Sequence, residues 1–256
     1  MVESGIRWQY GSMLIDTHCH LADTRLSDTV DTLLANARAA GVCRWIVPTA
    51  RCEEWPRLSL LANTHAGIQP AYGIHPWYCA QPTPDQRTWL KHLSTAVAVG
   101  ECGLDLGAQG PPLTRQLEVF RHQLALARQL DLPVIIHAHK ALDLVLKELR
   151  KIPVQGVIHA FAGSSQQAEQ CLKLGLKLGI GMRIRQRRAL RWRETVRALP
   201  LHALLLETDA PDGLPHAQNE PARLLDVARE LAMLRHMDTS ALIDACNHNA
   251  RQLFRL

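Results

Sequence analysis

The chain has 256 residues, 47% of them hydrophobic and 21% charged, and a formal net charge of +5. This length can bury a large core and no shift in composition divides it, so we expect one domain over residues 13–256. The basic excess permits a polyanionic partner without requiring one. No apolar run reaches the length of a membrane span, which excludes an integral helical membrane protein.

The first residues and the cysteines indicate the cellular context. Residues 1–12 lack the basic-then-apolar order of a secretory signal, and we expect a short, poorly ordered leader. The seven cysteines, an odd number without a CxxC pair, fit neither a disulfide framework nor a zinc knuckle. Reduced thiols are the simpler interpretation, so we expect a cytoplasmic protein without membrane attachment and without an obligate protein partner.

Eight apolar runs of strand length recur along the chain, and most are followed by a helical pattern. The runs are almost continuously hydrophobic, which is typical of parallel strands covered on both faces. They occupy residues 13–16, 45–48, 68–73, 96–100, 133–137, 155–159, 176–180 and 203–207.

The segments between these runs carry helical periodicity. Ser27 is a candidate N-cap for a helix that ends at Gly41, and Pro221 lies where a helix start tolerates proline. A last helix at about 240–246 would close the chain near Phe254. Eightfold alternation predicts an α/β protein with a (β/α)8 TIM barrel. A doubly wound sheet is the alternative, but no Gly-rich phosphate loop follows the first run.

The first run leads into Asp16, His18 and His20, which share one face of an extended chain. Imidazole is the commonest metal-binding side chain, and this spacing lets both histidines bind one cation. The carboxylate before them is placed to hold an imidazole ring in the required tautomer. A His-x-His pair also occurs without a metal, so the other residues of the site must show whether this pair binds one.

Further donors lie at the ends of other predicted strands, and in a β/α barrel the strand ends meet at one catalytic rim. Buried ionisable groups are costly unless they share cations. Four imidazoles and two carboxylates are enough for two metals with open positions, and two metals can clamp a phosphoryl or acyl centre. Satisfied core histidines are the alternative. The donors are His18 and His20, then Glu101 after strand four, His137 after strand five, His159 after strand six and Asp209 after strand eight.

These residues lie in motifs that resemble the TatD family of metal-dependent hydrolases, and within it the YjjV-like branch. The resemblance extends from Met13 to Phe254. The motifs are IDTHCH at 15–20, GIHPW at 73–77, VGECGLD at 99–105, PVIIH at 133–137, HAFAGS at 159–164, LETDAP at 206–211 and NEP at 219–221.

The resemblance implies an amidohydrolase-like barrel and deoxyribonuclease-like hydrolysis of phosphodiesters. By position, His18, His20 and Asp209 would bind one divalent metal and Glu101 would bridge to a second. His137 and His159 would hold that second metal, and the two ions could be magnesium, manganese or zinc.

The mechanism that follows is attack on phosphorus by a hydroxide bridging two metals, with Glu101 and Asp209 as the catalytic carboxylates. Asp209 would serve as ligand or general base, and the sequence does not divide the two roles. His75 either contacts the scissile group or stabilises a Gly-x-His-Pro turn. His139 stands where relatives often have arginine, and it either supports a metal ligand or is simply exposed.

Other polar residues are expected to act around the metals. Asp16, Asp105 and Glu207 are expected to orient or stabilise neighbours rather than bind metal. Arg183 and Arg185 follow strand seven, where guanidinium groups could contact phosphates. The loop that contains them lacks the Thr-Tyr-Pro-like sequence associated with close relatives of the family. The alternative for this arginine-rich stretch is a solvated basic helix face.

Three functions therefore remain open. The leading one is a nuclease or phosphodiesterase acting on the ends of single-stranded DNA or RNA. The second is an amide, ester or lactone hydrolase on the same scaffold, because the barrel does not dictate the substrate. The third is a catalytically silent nucleic-acid-binding protein that uses its arginines.

Overall fold

The structure is a computed structural model that describes residues 13–26, 29–107, 110–214 and 219–256. The expected leader at 1–12 and the candidate N-cap Ser27 lie outside the described residues. Eight strands pair in parallel, in the order of the sequence from β1 to β8. They are β1 Leu14–Asp16, β2 Val42–Pro48, β3 Ile68–Tyr72, β4 Ala98–Asp105, β5 Val134–His139, β6 Gly156–Ile158, β7 Leu176–Ile180 and β8 Leu204–Leu206.

Helices follow the strands and cover the outside of the sheet, and two of them succeed β8. None of the helices in the described ranges is both long and apolar enough to cross a lipid bilayer. The helices are α1 Val30–Ala39, α2 Trp55–Thr64, α3 Gln86–Leu93, α4 Leu113–Leu130, α5 Leu142–Lys151, α6 Ser165–Lys173, α7 Leu190–Ala198, α8 Leu224–Arg235 and α9 Thr239–Phe254.

The sheet curls until its first and last strands meet. Just past β1, Thr17 donates to the carbonyl oxygen of Leu206 on β8, from its backbone N–H at 3.0 Å and from its hydroxyl at 2.9 Å. Unbroken strand order with this contact is a nearly closed barrel, because a doubly wound sheet would reverse its order. The predicted (β/α)8 barrel is confirmed, and the doubly wound alternative is excluded.

The inside of the barrel has its own hydrophobic cluster, separate from the larger one between strands and helices. It contains one buried side chain from each of seven strands, and the end of α9 packs against it through Leu253 and Phe254. Asn247 ties this helix to β1, since its side chain accepts from the N–H of Ile15 and donates to the carbonyl of Met13. The strand residues are Ile15, Ile46, Ala71, Ala98, Ile135, Val157 and Leu205.

Several boundaries differ from those expected. Strand β4 continues past Glu101 to Asp105, and β5 continues to His139. The closing helix is longer than 240–246 and runs to Phe254. Strand β1 ends at Asp16, so His18 and His20 follow the strand instead of extending it.

Candidate metal centre

The six predicted ligands lie within two strands, β4 and β5, or just after three others, β1, β6 and β8, and they meet at one rim of the barrel. The Nε2 atoms of His18 and His20 lie 3.0 Å apart. Oε2 of Glu101 is 3.4 and 3.3 Å from these two nitrogens, and Oδ1 of Asp209 is 3.5 Å from each. Two imidazoles and two carboxylates therefore face one point.

The other oxygen of Glu101 faces a second group of imidazoles. Its Oε1 lies 3.1 Å from Nδ1 of His137 and 3.4 Å from Nε2 of His159. Nε2 of His75 is 3.7 Å from the same oxygen. Glu101 itself is buried, with 2% of its surface exposed. A single buried carboxylate thus separates two sets of nitrogen donors.

The spacing of these atoms fits divalent cations. Donors held at about 2.0–2.2 Å from one metal, at tetrahedral or octahedral angles, lie roughly 3.0–3.5 Å from each other. The donor atoms around both oxygens of Glu101 have this separation. Imidazole nitrogen with carboxylate oxygen is the ligand set of zinc and of other transition metals. The residues present therefore fit divalent metals of this kind.

The electrostatics keep the carboxylates ionised. Burial acts to raise the pKa of Asp209, but the surrounding rings of His159, His20 and His18 lower it to about 2. The same competition, between burial and several imidazoles, leaves the pKa of Glu101 well below its usual range. Both side chains are accordingly available as anionic ligands at neutral pH.

Asp105 fixes the orientation of His137. Its Oδ2 is 2.9 Å from Nε2 of that ring, which leaves Nδ1 directed at Glu101. The carboxylate also accepts the backbone N–H of Gly107 at 2.6 Å and the indole N–H of Trp77 at 2.8 Å. Partial burial acts to raise the pKa of Asp105, but these hydrogen bonds hold it well below its usual value. An orienting acid was the expected role.

Glu207 lies beside His159 much as Asp105 lies beside His137. Its side chain is fully buried, and Oε1 accepts the backbone N–H of Ala160 at 2.6 Å and lies 3.4 Å from Nδ1 of His159. Oε2 has no hydrogen-bond partner among the described residues. A Cβ on Gly179 of β7 would lie only 2.1 Å from Oε2, so the glycine makes room for this carboxylate.

Asp16 acts on the backbone rather than on a ring. It is fully buried, and it accepts from the N–H and hydroxyl of Thr208 at 3.0 and 2.6 Å and from the N–H of His18 at 3.3 Å. Burial raises its pKa to about 8, against the pull of these hydrogen bonds. The expectation that Asp16 holds an imidazole is wrong in this detail. It ties the end of β1 to the segment after β8, and it thereby places His18.

His75 stabilises the turn, which is one of the two roles left open for it, and its ring also lies beside Glu101. Its Nδ1 accepts the N–H of Trp77 at 3.2 Å and so stabilises the turn, while its Nε2 faces Glu101. Burial lowers the pKa of His75 to about 3, so the ring is neutral. His139 is exposed, with its ring centroid 6.5 Å from that of His137.

The two arginines after β7 take different positions. Arg183 lines a cleft of about 540 Å3 together with His137 and His159, and its guanidinium lies 5.2 Å from the ring centroid of Trp192. Arg185 instead pairs with Asp226 of α8, at 3.3 Å. The structure therefore places only Arg183 of this pair beside the predicted ligands.

A second cleft, of about 480 Å3, opens on the other side of His137. Three of its residues, Trp77, Arg25 and Arg51, were not recognised from the sequence as site residues. The signal for Trp77 was present, since it is the last residue of the GIHPW motif, but the direction of its side chain could not be read from the sequence. Arg25 lies in a 3-10 turn after β1 and Arg51 lies just before another after β2, and the positions of both turns depend on the folded barrel.

A parallel eight-stranded barrel with imidazoles and carboxylates gathered at one rim defines a TIM-barrel metal-dependent hydrolase. The family model described as TatD related DNase matches residues 15–255, and the chain belongs to this family. The expected resemblance is confirmed.

Individual relatives agree with this assignment. The chain is 36% identical over 253 residues to the uncharacterized metal-dependent hydrolase YjjV of Escherichia coli, covering 94% of this chain and 98% of that protein. It is 33% identical over 259 residues to the 3'-5' ssDNA/RNA exonuclease TatD of a Pantoea strain, covering 95% and 100%. The crystal structure of Escherichia coli YjjV matches with a TM-score of 0.87 at 35% identity, over 95% of this chain and 98% of that one.

Proposed function

We propose that this hydrolase removes nucleotides from the 3' ends of single-stranded DNA or RNA through a dinuclear metal centre with a bridging hydroxide. The observation that carries the proposal is the position of Glu101, whose two oxygens face two separate sets of imidazoles. A carboxylate in that position can bridge two cations. Relatives named as 3'-5' ssDNA/RNA exonucleases support the substrate.

Each metal would have its own ligands. His18, His20 and Asp209 would hold the first, His137 and His159 would hold the second, and Glu101 would bridge them. Two divalent cations, magnesium, manganese or zinc, would supply an activated hydroxide and neutralise charge on the phosphoryl oxygens.

The chain's own side chains would do the remaining chemistry. Asp209 has one-fifth of its side chain exposed, and its low pKa keeps the carboxylate ionised, so it would serve as a ligand of the first metal or accept the proton of the attacking water. The neutral ring of His75 would face the reacting phosphate without adding charge. Arg183 would bind a phosphate in the cleft that it lines with His137.

A cytoplasmic location is part of the same proposal. All seven cysteines are free, and five of them are buried. Free thiols persist in the reducing cytoplasm and are rare in oxidising compartments.

The proposal is tested with Glu101→Ala and a matched control. Purified protein is assayed for bound metals and for shortening of a 3'-labelled and a 5'-labelled single-stranded oligonucleotide, with EDTA and after metals are restored. We expect wild-type activity to disappear with EDTA and return with metal, and E101A to have activity near background while retaining its circular dichroism spectrum. The control Glu169→Ala removes an exposed carboxylate that pairs with Lys173 on α6, so its activity should match wild type.

Other outcomes select the alternatives. Near-normal activity of E101A would remove Glu101 from the mechanism and end the bridging proposal. EDTA-sensitive cleavage of small cyclic amides or esters, without cleavage of oligonucleotides, would assign the amide, ester or lactone hydrolase. Oligonucleotide binding that survives metal removal and gives no products would assign a silent binding protein.

A further inference from the structure

Trp77 differs from the other tryptophans of the described chain. Its side chain lies at the mouth of the barrel and the residue is 45% exposed, although exposing so large an apolar ring to water is unfavourable. The others are packed in the hydrophobic core, each less than 9% exposed. They are Trp45, Trp55, Trp89 and Trp192.

The exposed ring is held in place by polar contacts on its inner side. The indole N–H donates to Oδ2 of Asp105 at 2.8 Å, and the backbone N–H donates to Nδ1 of His75 at 3.2 Å. The ring centroid is 5.0 Å from that of His75 and 6.5 Å from that of His137. An aromatic ring fixed in this way loses little conformational entropy when a flat ligand stacks on it.

The arginines that line the cleft beside Trp77 are paired with carboxylates. Arg25 is paired with both Asp23 and Asp212 at 2.7 Å, and Arg51 is paired with Glu54 at 3.1 Å. Carboxylates thus offset the arginines on this side of the mouth. Such a cleft is better suited to an uncharged planar group than to a run of phosphates.

The cleft on the other side of His137 has the opposite character. It is lined by Arg183, Lys140 and His139, with Asp143 as its acidic residue. A polynucleotide backbone is favoured where positive charge is in excess. His137 lines both clefts, so the two clefts meet at this residue, next to Glu101. A scissile phosphate would lie at this meeting point.

Building on the exonuclease function proposed above, we propose that Trp77 stacks the 3'-terminal nucleobase and that the cleft between Trp77 and Arg25 binds the terminal nucleoside. The remaining strand then leaves through the cleft of Arg183. Trp77 is a specificity-determining residue in this arrangement, because it distinguishes a terminus that has a base from one that lacks it. Stacking tolerates all four bases, so no base preference is expected.

The test compares two single-stranded oligonucleotides that differ only at the 3' end, one with a base and one with an abasic tetrahydrofuran residue. Binding is measured by fluorescence anisotropy of a 5' label in EDTA and cleavage is measured after metal is added. Wild-type protein should bind and process the base-bearing terminus roughly tenfold better, which is the usual effect of one base–aromatic stack.

Two variants separate stacking from the hydrogen bond to Asp105. Trp77→Phe keeps an aromatic ring and loses the indole N–H, whereas Trp77→Ala loses both. W77F should retain most of the preference for the base-bearing terminus, and W77A should reduce the ratio to about one. A change in overall rate shared by both variants reports the lost contact with Asp105, and the ratio is insensitive to it.

The outcomes separate this inference from the function on which it rests. If the protein cleaves oligonucleotides but W77A keeps the wild-type ratio, the nucleobase site is wrong and the exonuclease function stands. If no oligonucleotide is cleaved, the exonuclease function fails, and the anisotropy ratio alone decides whether Trp77 binds a base. Equal binding of both oligonucleotides by wild-type protein would overturn the inference.

Discussion

At the scale of single residues, Glu207 is a carboxylate that lies beside His159, a predicted metal ligand. It is fully buried, one oxygen has no hydrogen-bond partner among the described residues, and its charge lies beside His159. Burying a carboxylate whose charge is not compensated lowers the stability of the folded protein, so we expect a positively charged partner near Glu207. A carboxylate behind an imidazole increases the basicity of the ring and fixes its tautomer, which strengthens metal binding on the far nitrogen.

We expect Glu207→Gln to weaken metal binding without unfolding the protein. The amide can still accept from Ala160, but the negative charge beside His159 is lost. Affinity for the second metal should fall roughly ten- to hundredfold, as measured by calorimetric titration of metal-free protein. Gly179→Ala should act in the same direction, because its Cβ would displace the carboxylate. The idea fails if both variants change thermal stability while their metal affinity equals that of wild type.

At the scale of elements, the 3-10 turn Met182–Arg185 after β7 directs its arginines to different places. The first, Arg183, lines the cleft beside the predicted metal ligands His137 and His159, and Arg185 reaches α8 to pair with Asp226. Sequence position alone made both candidates for phosphate binding. The turn separates them because a 3-10 helix has about three residues per turn, so two residues that are two positions apart point roughly 120° away from each other.

These two residues form a matched pair for testing phosphate contact. Arg183→Ala should raise KM for single-stranded oligonucleotides roughly tenfold, the effect of one charge-assisted hydrogen bond, and should reduce the slope of log KM against log salt by about one. Arg185→Ala removes the same charge from an exposed ion pair and should change KM less than about twofold. Equal effects of the two substitutions would show that general surface charge, rather than a contact in the cleft, attracts the substrate.

The elements themselves were largely predictable. Strands of a parallel barrel are buried on both faces and read as apolar runs, which is why every strand overlaps an expected one. Donors at the ends of those runs could be grouped at one rim because parallel strands end on the same side. The ends of β4 and β5 were not predictable, since Gly103 and His139 continue the pairing through polar sequence.

Long-range partners explain the rest of what the sequence did not reveal. Asp16 reaches Thr208, 192 positions away, and Arg25 reaches Asp212, 187 positions away. No local pattern encodes such contacts, because they depend on the register in which β1 and β8 close the barrel. The same limit applies to Trp77, whose exposure depends on how the turn after β3 is packed.

At the scale of the whole molecule, the barrel divides stability and chemistry between its two ends. The predicted metal ligands lie within β4 and β5 or just after the C-terminal ends of β1, β6 and β8. The opposite end is covered by α9, whose Asn249 donates to the carbonyls of Leu201 and Leu204 at the start of β8. Phe254 of this helix is buried in the cluster inside the barrel. Interior packing at this end should therefore support the fold without touching the reacting groups.

Phe254→Ala tests this division. Removing a buried phenyl ring leaves a cavity, so the free energy of unfolding should fall by about 3–5 kcal/mol, measured by urea denaturation. At a temperature where the variant is folded, kcat/KM for an oligonucleotide should stay near the wild-type value, because the ligands lie at the other end of the strands. The control Met233→Ala truncates a side chain that is 59% exposed and should shift stability by less than about 0.5 kcal/mol. A parallel loss of activity in folded F254A protein would mean that the packing inside the barrel transmits strain to the metal centre, and the two ends would then act as one unit.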